Sequence, residues 1–204
     1  MATRTEAKKH EKQARILEAA ADLFREHGFE ATTTRAIAAR AGIANGTLFL
    51  YVHDKDEALA LVYEGEVRTM LASRISSLPT RAGFRARLRH LFGGFFELYG
   101  EQPALARRFV ENIPRVDERR RATHDALNAR IASAIADEVA RGVARGELGR
   151  SVQATIATAN VFAIARVHLF GWLASPPCDA EQGVAALDAA IAQLVTGLAA
   201  KRPR

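Results

Sequence analysis

The sequence predicts an all-α chain of about nine helices, a small three-helix head followed by a larger helical body. Three observations carry that expectation. Apolar residues recur three and four apart through most of the chain, and no stretch alternates apolar with polar as a half-buried strand does. Pro79, Gly83, Gly100, Pro103, Pro114, Gly146, Gly149 and Pro176-Pro177 fall between the periodic segments, where helices stop. Thr32 to Asp56, TTTRAIAARAGIANGTLFLYVHDKD, reads as two short helices joined by a tight turn.

Residues 1–11 carry Arg4, Lys8 and Lys9 with little apolar content, which predicts a flexible basic arm. The first helix is expected from about Glu11 to His27, with Ile16, Leu17, Ala20, Leu23 and Phe24 as its buried stripe. Gly28 ends it, and Phe29 packs back onto the small core. Thr33 or Thr34 caps the second helix through its hydroxyl. Ile37, Ala38 and Ala41 share one face of that helix, and Gly42 stops it where a left-handed backbone costs little. Ile43 plugs the turn. A third helix opens near Ala44 or Asn45 and carries Leu48 and Val52 inward. The head is therefore assigned to residues 12–56 and the body to residues 57–204.

Asp54 and Glu57 have capping-box spacing at the start of the fourth helix. It is expected to run to about Ser73, with Leu59, Val62, Tyr63, Val67, Met70 and Leu71 as its apolar positions. Five more helices are expected, spanning about Phe84 to Tyr99, Ala104 to Asn112, Glu118 to Arg145, Val152 to Leu173 and Ala180 to Leu198. The Val152–Leu173 segment is apolar nearly all round, so it must be covered on more than one side. Either it is a central core helix, or it also meets a second copy of the chain.

A helix-turn-helix is the unit that lays its second helix in the DNA major groove. The stretch also resembles a known family. Arg15-Ile-Leu-Glu-Ala-Ala, Leu23-Phe24, Gly28-Phe29, Thr33-Thr34, Ile37-Ala38, Ala41-Gly42, Gly46-Thr47-Leu48-Phe49, Tyr51 and Lys55 closely resemble the DNA-binding domain of the tetracycline-repressor (TetR) family, over Lys12 to Leu59. The resemblance implies that Asn45, Gly46, Thr47, Phe49, Leu50 and Tyr51 face DNA, with Thr34 and Lys55 holding phosphates. It implies a small-molecule pocket in the body, for which Phe92, Phe95, Phe96, Tyr99, Phe109 and Phe162 supply aromatic surface suited to a hydrophobic effector. By pattern each of these is more often a core residue than pocket lining. It implies a homodimer formed by the last two helices, through Phe162, Leu169, Leu187, Ile191, Leu194 and Leu198. The expected function is a ligand-responsive transcriptional repressor that binds a palindromic double-stranded operator and is released by its effector. An activator, or a helical adaptor that no longer binds DNA, is the alternative.

Two residues depart from the family's pattern. Ala44 stands where a Ser or Thr cap is common, so the third helix starts weakly or shifts its cap to Asn45. Leu50 stands where a polar or aromatic residue is common; it can meet a thymine methyl but cannot donate to guanine, so thymine is expected at that operator position.

The 204 residues suffice for a substantial core, and 49% hydrophobic against 25% charged residues suits a globular protein. The net charge of +6 does not mark the DNA-binding part, because residues 1–60 hold 9 basic and 9 acidic side chains. One cysteine, Cys178, cannot form an intramolecular disulfide, which fits a reducing cytoplasm. No signal peptide is expected from the polar first 13 residues. Thr155, Thr158, Asn160, Arg166 and His168 interrupt Ala154 to Ala174, so no membrane span is expected there. No GxSxG, phosphate-binding loop, HExxH or paired-cysteine motif occurs, which argues against an enzyme. His90, His124 and His168 lack ligand spacing, so neither a metal nor a cofactor is expected. The arginines at 107, 108, 115 and 119–121 read as a solvated loop and helix start, or more sharply as an anion or DNA contact.

Overall fold

The computed structural model describes residues 4–113 and 118–198, and every described element is a helix, turn or bend. The first helix, α1 (Arg4–Ala31), begins earlier than expected. Residues 4–11 are helical rather than a separate arm, because Glu, Ala and Lys without a breaker favour the helix. Gly28, at φ 76° and ψ 172°, interrupts α1 as its sequence position predicts. The break leaves carbonyls without helical partners. The buried Thr32 hydroxyl shares its one proton between two carbonyls, Gly28 at 2.7 Å and Leu23 at 3.1 Å.

Thr33 caps α2 (Thr34–Arg40), its hydroxyl accepting from Ala36 N–H at 3.1 Å. Gly42 follows with φ 66°, and Arg15 closes the α2 terminus by donating to the Ala41 carbonyl at 2.6 Å. Next comes α3 (Asn45–Leu48), whose N-cap Ala44 makes no side-chain bond. The weak start is thus realised, and the cap does not shift to Asn45. Turn bonds from Leu50, Tyr51 and Val52 carry the coil one turn beyond Leu48. At α4 (Lys55–Ser76) the expected capping box forms: Asp54 accepts from Glu57 N–H at 2.7 Å, while Glu57 reaches back to His53 N–H.

The chain divides into two compact units. One comprises the described residues of Met1–Glu66 and Ala104–Arg115, the other those of Val67–Pro103 and Val116–Arg204. The boundary differs from the expected division after residue 56. The first part of α4, and α6 (Pro103–Asn112) from Ala104 on, belong to the head. The physical reason is packing: Phe109 of α6 stacks on Tyr63 of α4 at 5.0 Å. The head's core also includes Ile16, Ala20, Leu23, Phe24, Ile37, Ala38, Leu48, Val52 and Leu59, all buried.

The second unit holds α5 (Phe84–Glu101), α7 (Glu118–Ala144), α8 (Ala154–Ala174) and α9 (Ala180–Leu198). Helix α5 packs on α9 and α7, and α8 packs on α7 and α9. Arg87 and Glu138, both buried, are ion-paired between α5 and α7, and Arg87 also donates to the Ala82 carbonyl. Gly183 lets α9 approach α5: a Cβ there would lie 2.5 Å from the buried Phe96 ring and 2.9 Å from Trp172. Because Phe96 is boxed in by Trp172, with ring centroids 5.1 Å apart, it has little room to yield. Gly183→Ala is expected to cost about 1–3 kcal/mol by overpacking, read as a lower urea midpoint at an unchanged slope.

Candidate nucleic-acid interface

The head holds its recognition segment outward. Leu48 and Val52 are buried and anchor it, while Leu50 is 77% and Phe49 49% exposed between them. Asn45 and Gly46 are exposed, and Thr34, Thr47 and Tyr51 are half-buried. Among the described residues, no hydrogen bond satisfies the side chains of Asn45, Thr47 or Tyr51, so their polar atoms are available to a partner. Gly46 leaves open space where a Cβ would stand, so the backbone can be approached closely. Asn45, Gly46, Phe49 and Leu50 are thus exposed, with Thr47 and Tyr51 partly so.

Lys55 is placed differently from a free phosphate ligand. Its ammonium donates to the Phe29 carbonyl at 2.7 Å and lies 4.1 Å from the Phe29 ring centroid, with the Glu30 carbonyl at 3.4 Å. It thereby closes the turn after Gly28 and keeps one donor for another partner. Arg35, next to Thr34 on α2, is exposed and pairs with no described residue. It is an exposed cation next to Thr34 that the motif reading did not single out. Arg40 is engaged instead, bonding Glu26 of α1 through two contacts of 3.0 and 2.8 Å. That hydrogen-bonded guanidinium holds the Glu26 carboxyl below the usual range.

Arg108 is no solvated loop residue. It bonds both Asp56 oxygens at 2.8 and 3.1 Å and overlies the Phe29 ring at 4.2 Å. Asn112 adds a 2.8 Å bond to Asp56. Arg115 and the side chains of Arg119 and Arg120 lie outside the described residues.

The aromatic residues expected in a pocket fall in both units. Phe109 belongs to the head. Phe92, Phe95, Phe96 and Tyr99 are buried along α5, where Phe95 meets Phe92 at 6.1 Å and Tyr99 at 6.3 Å. Phe162 is half-buried on α8. A cleft of about 450 Å³ opens elsewhere, lined by residues including Arg85, Arg89, Glu147 and Asp188.

The residues expected to form the dimer seam divide as well. Leu169, Leu187 and Ile191 are buried within the chain's own core, so they are not free to meet a partner. Phe162 and Leu194 are half-buried, and the Leu198 side chain lies outside the described residues. The outward face of α8 instead carries Ile156, Ala159, Ala163, Val167, Gly171 and Ala174, three or four apart. Val167 on it is 71% exposed. The corresponding face of α9 carries Ala185, Ala186 and Ala189. Helix α8 is the one described helix long and apolar enough to cross a membrane by length and composition.

A capped three-helix head whose third helix is held outward is a helix-turn-helix unit. Residues 16–61 match the family of bacterial regulatory proteins, tetR family. The match is confined to this N-terminal segment, under a quarter of the chain. Over 86 residues it is 34% identical to the HTH-type transcriptional repressor KstR2 of Mycobacterium tuberculosis, covering 42% of this chain and 43% of that protein. The chain spans about half the length of the curated relatives it matches. Its fold is like that of Thermus thermophilus FadR, a TetR-family transcriptional repressor solved in complex with lauroyl-CoA. The TM-score is 0.72 at 23% identity, over 94% of this chain and 98% of that one. Bacillus subtilis FadR, solved with stearoyl-CoA, gives 0.64 at 16% identity over 89% and 96%. At these identities the likeness is one of fold.

Proposed function

We propose that the chain is a ligand-responsive transcriptional repressor that binds a palindromic operator as a homodimer. The observation that carries this reading is the recognition edge, where Phe49 and Leu50 stand exposed beside polar groups of Asn45, Thr47 and Tyr51 that no described residue engages. A partner that covered these two adjacent apolar side chains would gain their burial. The major groove offers thymine methyls to Leu50 and base edges to the polar groups. Two heads about 34–36 Å apart would then meet successive major grooves.

The proposed effector is a long-chain acyl thioester of coenzyme A. The support is the acyl-CoA in two neighbours of like fold and the aromatic surface along α5. Release from DNA requires the effector to favour one conformation of the dimer over the other. Helix α4 is continuous from the head unit into the body unit, which gives binding in the body a covalent route to the head.

A gel shift on the promoter beside its own gene tests the reading. Tyr51→Ala and Thr47→Ala are each expected to weaken the complex about ten-fold or more, at unchanged melting temperature. Lauroyl-CoA, but not coenzyme A alone, is expected to raise the melting temperature and dissolve the complex. No shift even at low salt would favour a helical adaptor instead.

A further inference from the structure

The head's phosphate-facing edge is completed by a side chain from far down the chain. Asp56 lies in the first turn of α4, beside Lys55. A carboxylate there suits the helix dipole but would repel a DNA phosphate arriving at the same edge. Arg108 answers that charge with two bonds to Asp56, and Glu30 lies a further 3.7 Å from its guanidinium. Lys55 and Arg108 also share one aromatic ring, with the ammonium 4.1 Å and the guanidinium 4.2 Å from the Phe29 centroid. Phe29 in turn stacks on Phe24 of the head core at 5.6 Å. Asn112, one helical turn beyond Arg108, donates to Asp56 at 2.8 Å and to the Arg108 carbonyl at 3.1 Å, so the clamp is itself held.

We propose that Arg108 is a positioning residue for DNA binding: it neutralises Asp56 and fixes Lys55 and the first turn of α4, without itself touching the nucleic acid. This rests on the DNA-binding reading above. It predicts a sign that a merely structural role would not give. Arg108→Ala exposes the Asp56 charge, so removing that charge as well should restore affinity rather than lower it further.

The test uses the full chain and a duplex selected by the wild-type protein from a random-sequence library. Arg108→Ala is expected to bind about ten-fold more weakly, and Arg108→Ala/Asp56→Asn to recover at least half of that loss on a logarithmic scale. A second measurement needs no DNA. Amide hydrogen exchange at Asp56 to Ala58 should quicken in Arg108→Ala, while that of Ile16 and Leu23 in α1 stays as in the wild type. Wild-type affinity in Arg108→Ala, an unrescued loss, or unchanged exchange would each overturn the proposal. If the wild type selects no duplex, the DNA-binding reading and this one fall together, and faster exchange would then show only that the clamp exists.

Discussion

Arg87→Met is expected to lower the stability of the body by about 3–5 kcal/mol, among the largest effects of any single substitution in the chain. Arg87 is 1% exposed, and so is Glu138. Removing the guanidinium strands a buried carboxylate, whose remaining cation is the half-exposed Arg141 at 3.4 Å, and leaves the Ala82 carbonyl with only the longer 3.3 Å bond from Arg145. The reverse substitution, Glu138→Gln, should cost less. It keeps an acceptor for Arg87, and Glu147 still lies 3.5 Å from the guanidinium. Replacing both members with apolar residues of similar volume, as in Arg87→Met/Glu138→Leu, should recover most of the loss, because no buried charge is then left alone. Urea unfolding followed by far-ultraviolet circular dichroism gives all three values. A loss below about 1 kcal/mol in Arg87→Met would mean that the pair does not bridge α5 and α7 in solution.

That pair was visible in the sequence only as an anomaly. Arg87 falls on the stripe of Phe84, Leu88 and Leu91, and Glu138 falls on that of Ile131 and Ile135. A charge on an apolar stripe announces a buried partner but cannot name it across 51 residues. The head was legible for the opposite reason. Gly28, Thr33, Gly42, Asp54 and Glu57 act on backbone groups within four residues of themselves, so their roles survive in the linear order. The place of α6 was hidden, since it depends on Arg108 meeting Asp56, and a run of arginines reads first as solvated surface. The DNA-facing residues were expected from family resemblance, and Lys55 shows what a matched motif leaves out. Its ammonium is partly used by the Phe29 carbonyl before any phosphate arrives.

Helix α8 separates the two kinds of knowledge most clearly, and it sets the second large prediction. Its all-round apolarity showed that more than one side must be covered, but composition does not give the phase of the helix. The structure gives it: Ala157, Val161, Ala165, Leu169 and Leu173 face the chain's own core, so Ile156, Ala163 and Val167 face away. If that outward face is the seam of a homodimer, Val167→Asp places an unpaired charge into it from each subunit. The expected cost is about 3 kcal/mol or more, at least about a hundred-fold in the dimer dissociation constant. The variant should sediment as a folded monomer and lose operator affinity with it, because one head alone makes half the contacts. Leu187→Asp supplies the contrast. Leu187 is 2% exposed within its own subunit, so that charge should unfold the body rather than split a dimer. A Val167→Asp protein that stays dimeric would move the seam elsewhere, and a Leu187→Asp protein that becomes a stable monomer would return it to the residues first read from the sequence.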